Sequence, residues 1–379
     1  MRERVPSKSQ VTTDDLRELA HALGPGAKLP TVAQLRAQMG VSLATLNTAL
    51  LALEEERVLF RRQGSGIWVS SELRVPTICL LCEPGTFGGE RESPFWNVLL
   101  HTIAARAQRG GEKLEMHFAL PQGEMSGHLQ RGLREQFERG GVQGVLGVSL
   151  SHPTARWIEA LGVPLVNIFG PATHSVMSDN GAFYDQAVRV LRERGLRRLG
   201  CWQGVAPCES GNEGLSRILA EQRTQWRAAL RAHGLTFEAR WYRQWSCQGI
   251  IGENGARPSL ARQGALEVEE LLRQERSEWP EAIVLPDDVF ARGVLIALHR
   301  AGVTPGRDLV VAAHTNAATD VLSAFEDEVC LLELRPAEFV RHAFERLEAL
   351  MGGQTWLPSS DERAHWIFLK PHPVAGDAA

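Results

Sequence analysis

The feature that most constrains this 379-residue chain is a regular alternation of short apolar runs with helical stretches, which begins at Thr77. Runs typical of strands occupy residues 77–81, 114–120, 142–149, 163–168, 198–202, 282–285 and 309–313. Helical patterns lie between them, for example at residues 95–109, 128–139, 183–194, 215–232, 263–274 and 289–301. This alternation predicts an α/β fold with helices on both faces of parallel sheets. Nearly three hundred such residues exceed one comfortable core, so we expect two lobes, with a ligand beyond the carboxyl ends of the strands.

The residues before this region carry a different pattern, which predicts short helices. A polar group at residues 12–15 is expected to cap the first helix, which Gly24-Pro25-Gly26 ends. Thr31 and Gln34 form a capping box that begins a second helix near residue 32. Ser42 is the expected N-cap of a third helix, whose leucines recur at helical spacing and face a core.

A hairpin is predicted directly after the third helix. Two short strands, at residues 58–62 and 66–69, flank a tight turn. Helices joined by a tight turn and followed by such a hairpin predict a winged helix-turn-helix domain over residues 1–70. Residues 71–76 are short and polar and end in proline, so they are the expected linker to a bilobed body at 77–370.

This N-terminal unit resembles the winged-helix module of the GntR family of regulators. The matching residues are Leu29-Pro30-Thr31, Gly40-Val41-Ser42, Thr45-Leu46, Ala49-Leu50, Leu53-Glu54 and Arg61-Arg62-Gln63-Gly64-Ser65-Gly66. The resemblance implies binding to double-stranded DNA, with contacts from Thr31, Ser42, Thr45, Asn47, Arg61, Arg62 and Gly64.

The chain departs from the family pattern where DNA would be read. The family commonly has arginine where Leu43 and Asn47 stand, and glycine where Arg57 stands. Asparagine still pairs with adenine through two hydrogen bonds in the major groove. Residues 1–72 hold nine basic against eight acidic side chains, and the whole chain has a net charge of −4, so charge supports DNA binding only weakly. A winged helix used for protein contacts, with Asn47 merely solvated, stays open.

The body resembles the effector-binding domain of LacI-family regulators, which is related to periplasmic sugar-binding proteins. Ser93-Pro94-Phe95-Trp96, Asp179-Asn180 and the segment from Pro280 to Asp288 carry the match. An aromatic face with charged partners suits a sugar-like effector. The resemblance implies that the effector contacts Trp96, Asp179, Arg223, Asp288, Thr315 and Asn316.

Each of these residues also has a plain structural explanation. Asp288 and Asp179 fit helix or turn caps, Trp96 fits the lobe core, and Arg223 fits an exposed helix surface. The family usually has an aspartate where this chain has Ala313-His314-Thr315-Asn316. Either Thr315 or Asn316 replaces that carboxylate, or the pocket has another specificity.

Enzymatic chemistry finds no support in the sequence. Some GntR-headed proteins carry a body that needs a Schiff-base lysine, but none of the four lysines (Lys8, Lys28, Lys113 and Lys370) is suitably placed. Cys79 and Cys82 form a C-x-x-C within an apolar run, and residues three apart on a strand point to opposite faces, so we expect buried thiols and not a metal site. No cofactor is expected.

A GntR-type head on a LacI-type body is similar to the arrangement of arabinose repressors. It implies a homodimeric repressor that binds a DNA operator and responds to a small effector. The first residues lack an apolar signal segment, which predicts a cytoplasmic protein. A body that binds a protein partner, or that serves only for dimerisation, stays open. A last strand is expected at residues 365–369, with disorder after it.

Overall fold

The computed structural model describes residues 8–71, 76–82, 93–118, 127–205, 213–245, 258–356, 361 and 363–374. Within these residues the strands form a two-stranded antiparallel sheet and two six-stranded sheets. The small sheet belongs to the N-terminal unit, here called the head. The larger sheets form the two lobes of the body, which confirms the α/β prediction of a winged helix followed by a bilobed domain. Among the described residues, no helix is long and apolar enough to cross a membrane.

The head consists of α1 (Lys8–Leu23), α2 (Val32–Met39), α3 (Leu43–Glu55), β1 (Leu59–Arg62) and β2 (Gly66–Val69). Its core is formed by apolar side chains of all of these elements, with Leu16, Leu35, Leu46, Leu50, Leu53, Leu59 and Ile67 among them. The capping box of Thr31 with Gln34 is present, and Ser42 caps α3 as predicted. The first helix is longer than the sequence suggested. It begins at Lys8 and not at the polar group of residues 12–15. Thr13 lies inside the helix, where its hydroxyl donates to the Ser9 carbonyl and does not cap an N-terminus.

The turn after α3 explains one departure from the family pattern. Arg57 has a φ of +60°, in the left-handed region that favours glycine. The Arg57 N–H donates to the Glu54 carbonyl and the Val58 N–H to the Leu53 carbonyl, so the helix end is closed by hydrogen bonds. This chain therefore keeps the turn that glycine would allow, at the cost of backbone strain at an exposed arginine.

The first lobe is built on a sheet with strand order β13-β7-β6-β5-β3-β4. The strands are β3 (Thr77–Cys82), β4 (Lys113–Phe118), β5 (Gly144–Val148), β6 (Leu165–Ile168), β7 (Ser175–Ser178) and β13 (Ile367–Leu369), and all pairings are parallel. Helices α4 (Phe95–Gly110) and α11 (Pro336–Met351) cover one face, and α5 (Gly127–Glu138) and α6 (His152–Ala160) cover the other.

The second lobe has strand order β14-β12-β11-β10-β8-β9. The strands are β8 (Leu199–Gln203), β9 (Tyr242–Gln244), β10 (Ala282–Leu285), β11 (Val310–Asn316), β12 (Val329–Leu334) and β14 (His372–Pro373), of which only the β12–β14 pairing is antiparallel among the described pairs. Helices α7 (Asn180–Glu193) and α8 (Glu213–Ala232) lie on one face, and α9 (Leu260–Leu272) and α10 (Asp288–Arg300) on the other. The chain passes between the lobes at the β7–α7, β12–α11 and β13–β14 junctions.

Several sequence predictions need correction. Strands β7, β9 and β12 were not predicted, and α6 and α11 were not among the named helices. The expectation of disorder after residue 369 is wrong for His372–Pro373, which pairs with Leu332 and Glu333 of β12. A two-residue strand carries no periodicity of its own, and its partner strand alone specifies it.

The two neighbouring cysteines behave as expected. Cys82 lies in the cluster under α4 and α11, and Cys79 lies in the cluster on the opposite face of the same sheet. Burial raises the pKa of each thiol to about 12, so both are protonated at neutral pH. Cys208 and Cys247 lie outside the described residues.

We expect Arg57→Gly to stabilise the head by about 1 kcal/mol, because glycine relieves the left-handed strain. Arg36→Gly is the matched control, since Arg36 is exposed inside α2, where glycine is unfavourable by about 1 kcal/mol. Amide hydrogen exchange of α3 in the full chain measures local stability. Equal destabilisation by both substitutions would contradict the turn described here.

Candidate effector cavity and DNA-facing surface

The outer face of α3 is the candidate DNA-reading surface. Leu43, Ala44 and Thr48 are exposed and Asn47 is half-buried, while the leucines of the opposite face fill the head core. This is the division that the helical spacing predicted. The surface offers an amide, a hydroxyl and two apolar side chains, which fits base edges and thymine methyl groups in a major groove.

Several of the residues predicted to contact DNA form hydrogen bonds within the head. Thr31 caps α2, and Ser42 caps α3 by accepting the Thr45 N–H at 3.1 Å. The Ser42 and Thr45 hydroxyl oxygens are 2.8 Å apart. Their side chains lie at helix N-termini, where backbone N–H groups favour an anion such as a phosphate. A residue in this position is able to stabilise the helix end and to contact a DNA phosphate at the same time.

The wing carries the two predicted arginines. Arg61 forms an ion pair with Glu54 of α3, and its guanidinium is half-exposed. Arg62 lies over the rings of Phe60 and Trp68, at 5.1 and 5.2 Å from their centres. Gly64 has a φ of +72° at the tip of the hairpin, which satisfies the turn and explains the glycine there. The rings hold Arg62 in place while its charge stays exposed.

The body has a cavity of about 190 Å³ between the lobes. Its walls come from the ends of β7, β10, β11 and β12, the first turns of α4, α7 and α10, and the crossing before β14. The described residues that line it are Ser93, Phe95, Trp96, Phe169, Ser178, Asp179, Asn180, Phe183, Pro286, Asp287, Asp288, His314, Asn316, Leu334 and Pro371. The cavity therefore lies at the carboxyl ends of parallel strands, where ligands of open α/β sheets bind.

Two adjacent carboxylates form the polar centre of the cavity. Asp287 is the N-cap of α10 and accepts the Phe290 N–H at 2.7 Å. Asp288 is 2% exposed, and it accepts the Asn316 side-chain amide at 2.9 Å and the N–H of Val289. Burial first, and then the neighbouring Asp288 charge, raise the pKa of Asp287 to about 7. The pair therefore carries less than two full negative charges near neutral pH.

His314 lies beside this pair on β11. Burial lowers its pKa, and the Asp288 charge acts against that shift without reversing it. The imidazole is therefore neutral at pH 7. Its Nε2 atom is buried and has no hydrogen-bond partner among the described residues. A buried, unpaired ring nitrogen is costly unless a ligand or water pairs with it.

Aromatic side chains form the apolar wall of the cavity. Phe95, Trp96 and Phe169 contact one another edge to face, with ring centres 5.1 to 5.7 Å apart. Phe183 meets His314 edge to face on the other side. Phe169 has a φ of +57°, which is rare for a bulky residue and marks a place where surrounding packing fixes the backbone.

Four of the six residues predicted to bind the effector line this cavity, namely Trp96, Asp179, Asp288 and Asn316. Asp287 and not Asp288 is the N-cap of α10, although Asp288 also accepts the N–H of Val289 in the first turn. Asp179 does both things: it caps α7 by accepting the Ala182 N–H at 2.8 Å, and it lines the cavity.

Thr315 and Arg223 are not brought to the cavity. Thr315 lies between His314 and Asn316 on β11, so its side chain points to the other face of the sheet. Arg223 is exposed on α8, where its guanidinium lies 5.5 Å from the ring centres of both Phe237 and Tyr242. The geometry gives the prediction for these two residues no support.

Lining residues that were not predicted include Asp287, Phe169 and Phe183, and His314 was not placed among the predicted effector contacts. Asp287 could have been found, because it adjoins Asp288 in the same strand-to-helix turn. Phe169 had no such signal. Its position depends on the strained turn after β6, which only the folded chain shows.

Family models match both parts of the chain. Residues 10–69 match the model described as bacterial regulatory proteins of the gntR family, and residues 188–376 match the periplasmic binding protein-like domain. Two curated relatives come from Bacillus subtilis strain 168. The uncharacterized HTH-type transcriptional regulator YurK is 33% identical over 108 residues, which is 28% of this chain and 44% of YurK. The uncharacterized HTH-type transcriptional regulator YydK is 40% identical over 65 residues, which is 17% of this chain and 28% of YydK. The chain thus spans less than half of the length of these relatives.

Solved structures of similar fold cover most of the chain. A transcriptional regulator CelR–cellobiose complex aligns with 92% of this chain and 99% of its own, at 19% identity and a TM-score of 0.56. The Escherichia coli transcriptional repressor ascG aligns with 80% of this chain and 99% of its own, at 17% identity and a TM-score of 0.59. A LacI-family regulatory protein from Chloroflexus aggregans aligns with 79% of this chain and 96% of its own, at 20% identity and a TM-score of 0.57. At such low identities, these structural alignments establish a shared fold and nothing more.

We expect Asp287→Asn to stabilise the body increasingly as the pH rises. In the native chain the carboxyl titrates near pH 7, whereas its ordinary pKa is 3.8, so the native state binds the proton more tightly than the unfolded state. Between these two values the free energy of unfolding falls with pH, by at most about 1.4 kcal/mol for each pH unit. Asparagine keeps the helix cap and removes this dependence.

Thermal unfolding of the full chain and the variant from pH 5 to pH 8 measures the difference. Asp320→Asn is the control, because Asp320 is an exposed aspartate outside the cavity. A constant difference between Asp287→Asn and the parent chain across this range would contradict a raised pKa.

Proposed function

Because the chain joins a GntR-type winged helix to a periplasmic-binding-protein-like domain, we propose that it is a transcription regulator whose binding to operator DNA is controlled by a small polar effector. The observation that carries the proposal is the union, in one chain, of an exposed α3 face with a polar cavity between two lobes. The family of the head and the fold of the body are those of transcription regulators and not of enzymes. We further propose that it acts as a repressor in the cytoplasm.

The DNA part of the proposal rests on the head. The α3 face would enter the major groove, with Asn47 facing a base edge. The caps of α2 and α3 and the wing arginines would contact phosphates on either side. A homodimer would place two heads on half-sites one helical turn or more apart. The edge strand β4 supports such pairing, because the apolar Met116 is more than two-fifths exposed on it.

The effector part rests on the cavity. Carboxylates and an amide at its centre would hold polar groups of a ligand, and the aromatic wall would cover its apolar face. A sugar or sugar derivative has both kinds of surface. The CelR–cellobiose complex has a similar fold, which supports a ligand of this class.

Helix α4 offers a route between the two sites. Phe95 and Trp96 in its first turn line the cavity, and α4 contacts α1 of the head. At its end, Gly111 adjoins His21 of the head so closely that a Cβ atom on Gly111 would lie 2.2 Å from the imidazole. A 16-residue helix spans about 24 Å, so a small rotation at the cavity would move the contact with the head. An effector that prefers one arrangement of α4 would thereby favour one arrangement of the head.

We predict that Asn47→Ala relaxes the sequence preference at one operator position by about 1–3 kcal/mol. Arg62→Ala should instead weaken binding to all sequences alike and reduce the salt dependence by about one phosphate contact. A binding-site selection followed by titrations at several salt concentrations measures both effects. Asn97→Ala is the matched control, because Asn97 is exposed on α4 in the body.

Unchanged specificity in Asn47→Ala would remove this residue from base reading. If the parent chain prefers no duplex over random competitor at low salt, the proposal of a DNA-binding regulator fails as a whole.

A second prediction tests where the effector binds. A sugar-class ligand at 100 times its dissociation constant should add about 2.7 kcal/mol to the stability of the body. We expect Trp96→Ala to lose this gain, because Trp96 lines the cavity, and Arg223→Ala to keep it, because Arg223 lies on the outer surface of α8. Thermal shifts of each variant, measured against its own ligand-free baseline, decide the matter. Loss of the gain in Arg223→Ala alone would place the site elsewhere.

A further inference from the structure

We infer that the effector carries a protonated amine, which binds at Asp287 and Asp288 while the rest of the ligand packs on the aromatic wall. This inference rests on the proposed function, since it names the ligand class of the same cavity. It concerns the choice between cationic, neutral and anionic polar ligands.

The charges of the described lining residues disfavour an anion. The titratable residues among the described lining are Asp287 and Asp288 from α10, Asp179 from α7 and His314 from β11. Neither lysine nor arginine is among the described lining residues, and burial keeps the histidine neutral at pH 7. A sugar phosphate or a sugar acid would add negative charge to this group, and none of the described lining residues is a cation that would offset it.

A neutral sugar leaves the acidic pair uncompensated. The guanidinium of Arg223 does not offset this charge, because Arg223 lies over Phe237 and Tyr242 on the outside of the second lobe. Asp288 already accepts hydrogen bonds from Asn316 and Val289. Asp287 accepts the Phe290 N–H, and a carboxylate has about four acceptor positions, so capacity remains for a ligand donor.

An ammonium group suits both the carboxylates and the wall. It donates three hydrogen bonds and offsets the charge of the pair. A cation next to an aromatic face gains further electrostatic attraction, and Phe95, Trp96, Phe169 and Phe183 surround the cavity. The unpaired Nε2 atom of His314 offers one more polar contact for a hydroxyl or an amine of the ligand.

The test uses matched probes on the full chain. Titration calorimetry and thermal shifts compare glucosamine and galactosamine with glucose and galactose and with the two sugar 6-phosphates. We expect at least one amino sugar to bind tenfold or more tightly than its neutral parent, and neither phosphate to bind. A neutral or phosphorylated sugar that binds as tightly as its amine, or failure of both amino sugars at millimolar concentration, would overturn the inference.

Proton linkage gives a second, independent measurement. Because a bound cation favours the ionised form of Asp287, affinity for the amino sugar should rise from pH 6 to pH 7.5, by up to tenfold for each pH unit below the pKa. In Asp287→Asn this rise should disappear, together with the preference for the amine over its parent. Asp320→Asn, which makes the same change on the surface, should keep both. A pH-independent affinity in the parent chain would count against the inference.

Operator binding by the same preparation separates this inference from the proposed function. If the chain prefers an operator and a neutral sugar releases it, the proposed regulator function holds and the inference of an amine ligand is wrong. If no duplex is preferred, the regulator fails, whatever the sugars do. Operator binding by Asp287→Asn also shows that the variant is folded.

Discussion

The structure depends on one constraint: two sheets, parallel except for the β12–β14 pairing, direct the carboxyl ends of their parallel strands toward a common cavity. Strand ends in parallel sheets are followed by helix N-termini, so the cavity is surrounded by backbone N–H groups as well as side chains. Asp179 and Asp287 satisfy such N–H groups at the starts of α7 and α10. The residues that cap these helices therefore also line the cavity.

This double use has an energetic consequence. A helix N-terminus stabilises a nearby carboxylate by up to about 2 kcal/mol in favourable, partly buried positions. Burial beside a second carboxylate opposes that gain, and for Asp287 the opposing effects are larger, because its pKa is raised. Asp287 is therefore a helix cap whose charged form is less stable than that of an ordinary exposed cap.

In the head, too, residues that stabilise a helix end or a turn lie on the candidate binding surface. Ser42 caps α3 at the end that would face a phosphate, and Arg62 lies on aromatic rings with its charge exposed. Arg57 departs from residue preference, because it adopts a left-handed backbone conformation that glycine would adopt without strain. Helix α4 joins the two units, with its first turn in the cavity wall and its end against His21.

The sequence by itself determined the winged helix, the alternation of strands and helices in the body, and most of the central strands. These features follow from short-range signals, namely helix caps such as Thr31 and Ser42 and apolar periodicity that extends over enough residues to identify a helix or a strand. Only the tertiary structure decided that Arg223 and Thr315 lie away from the cavity, that Asp287 and not Asp288 caps α10, and that His372–Pro373 forms a strand. The reason is that strand alternation, side-chain partners and edge pairing depend on residues far away in the chain, and no local pattern carries that information.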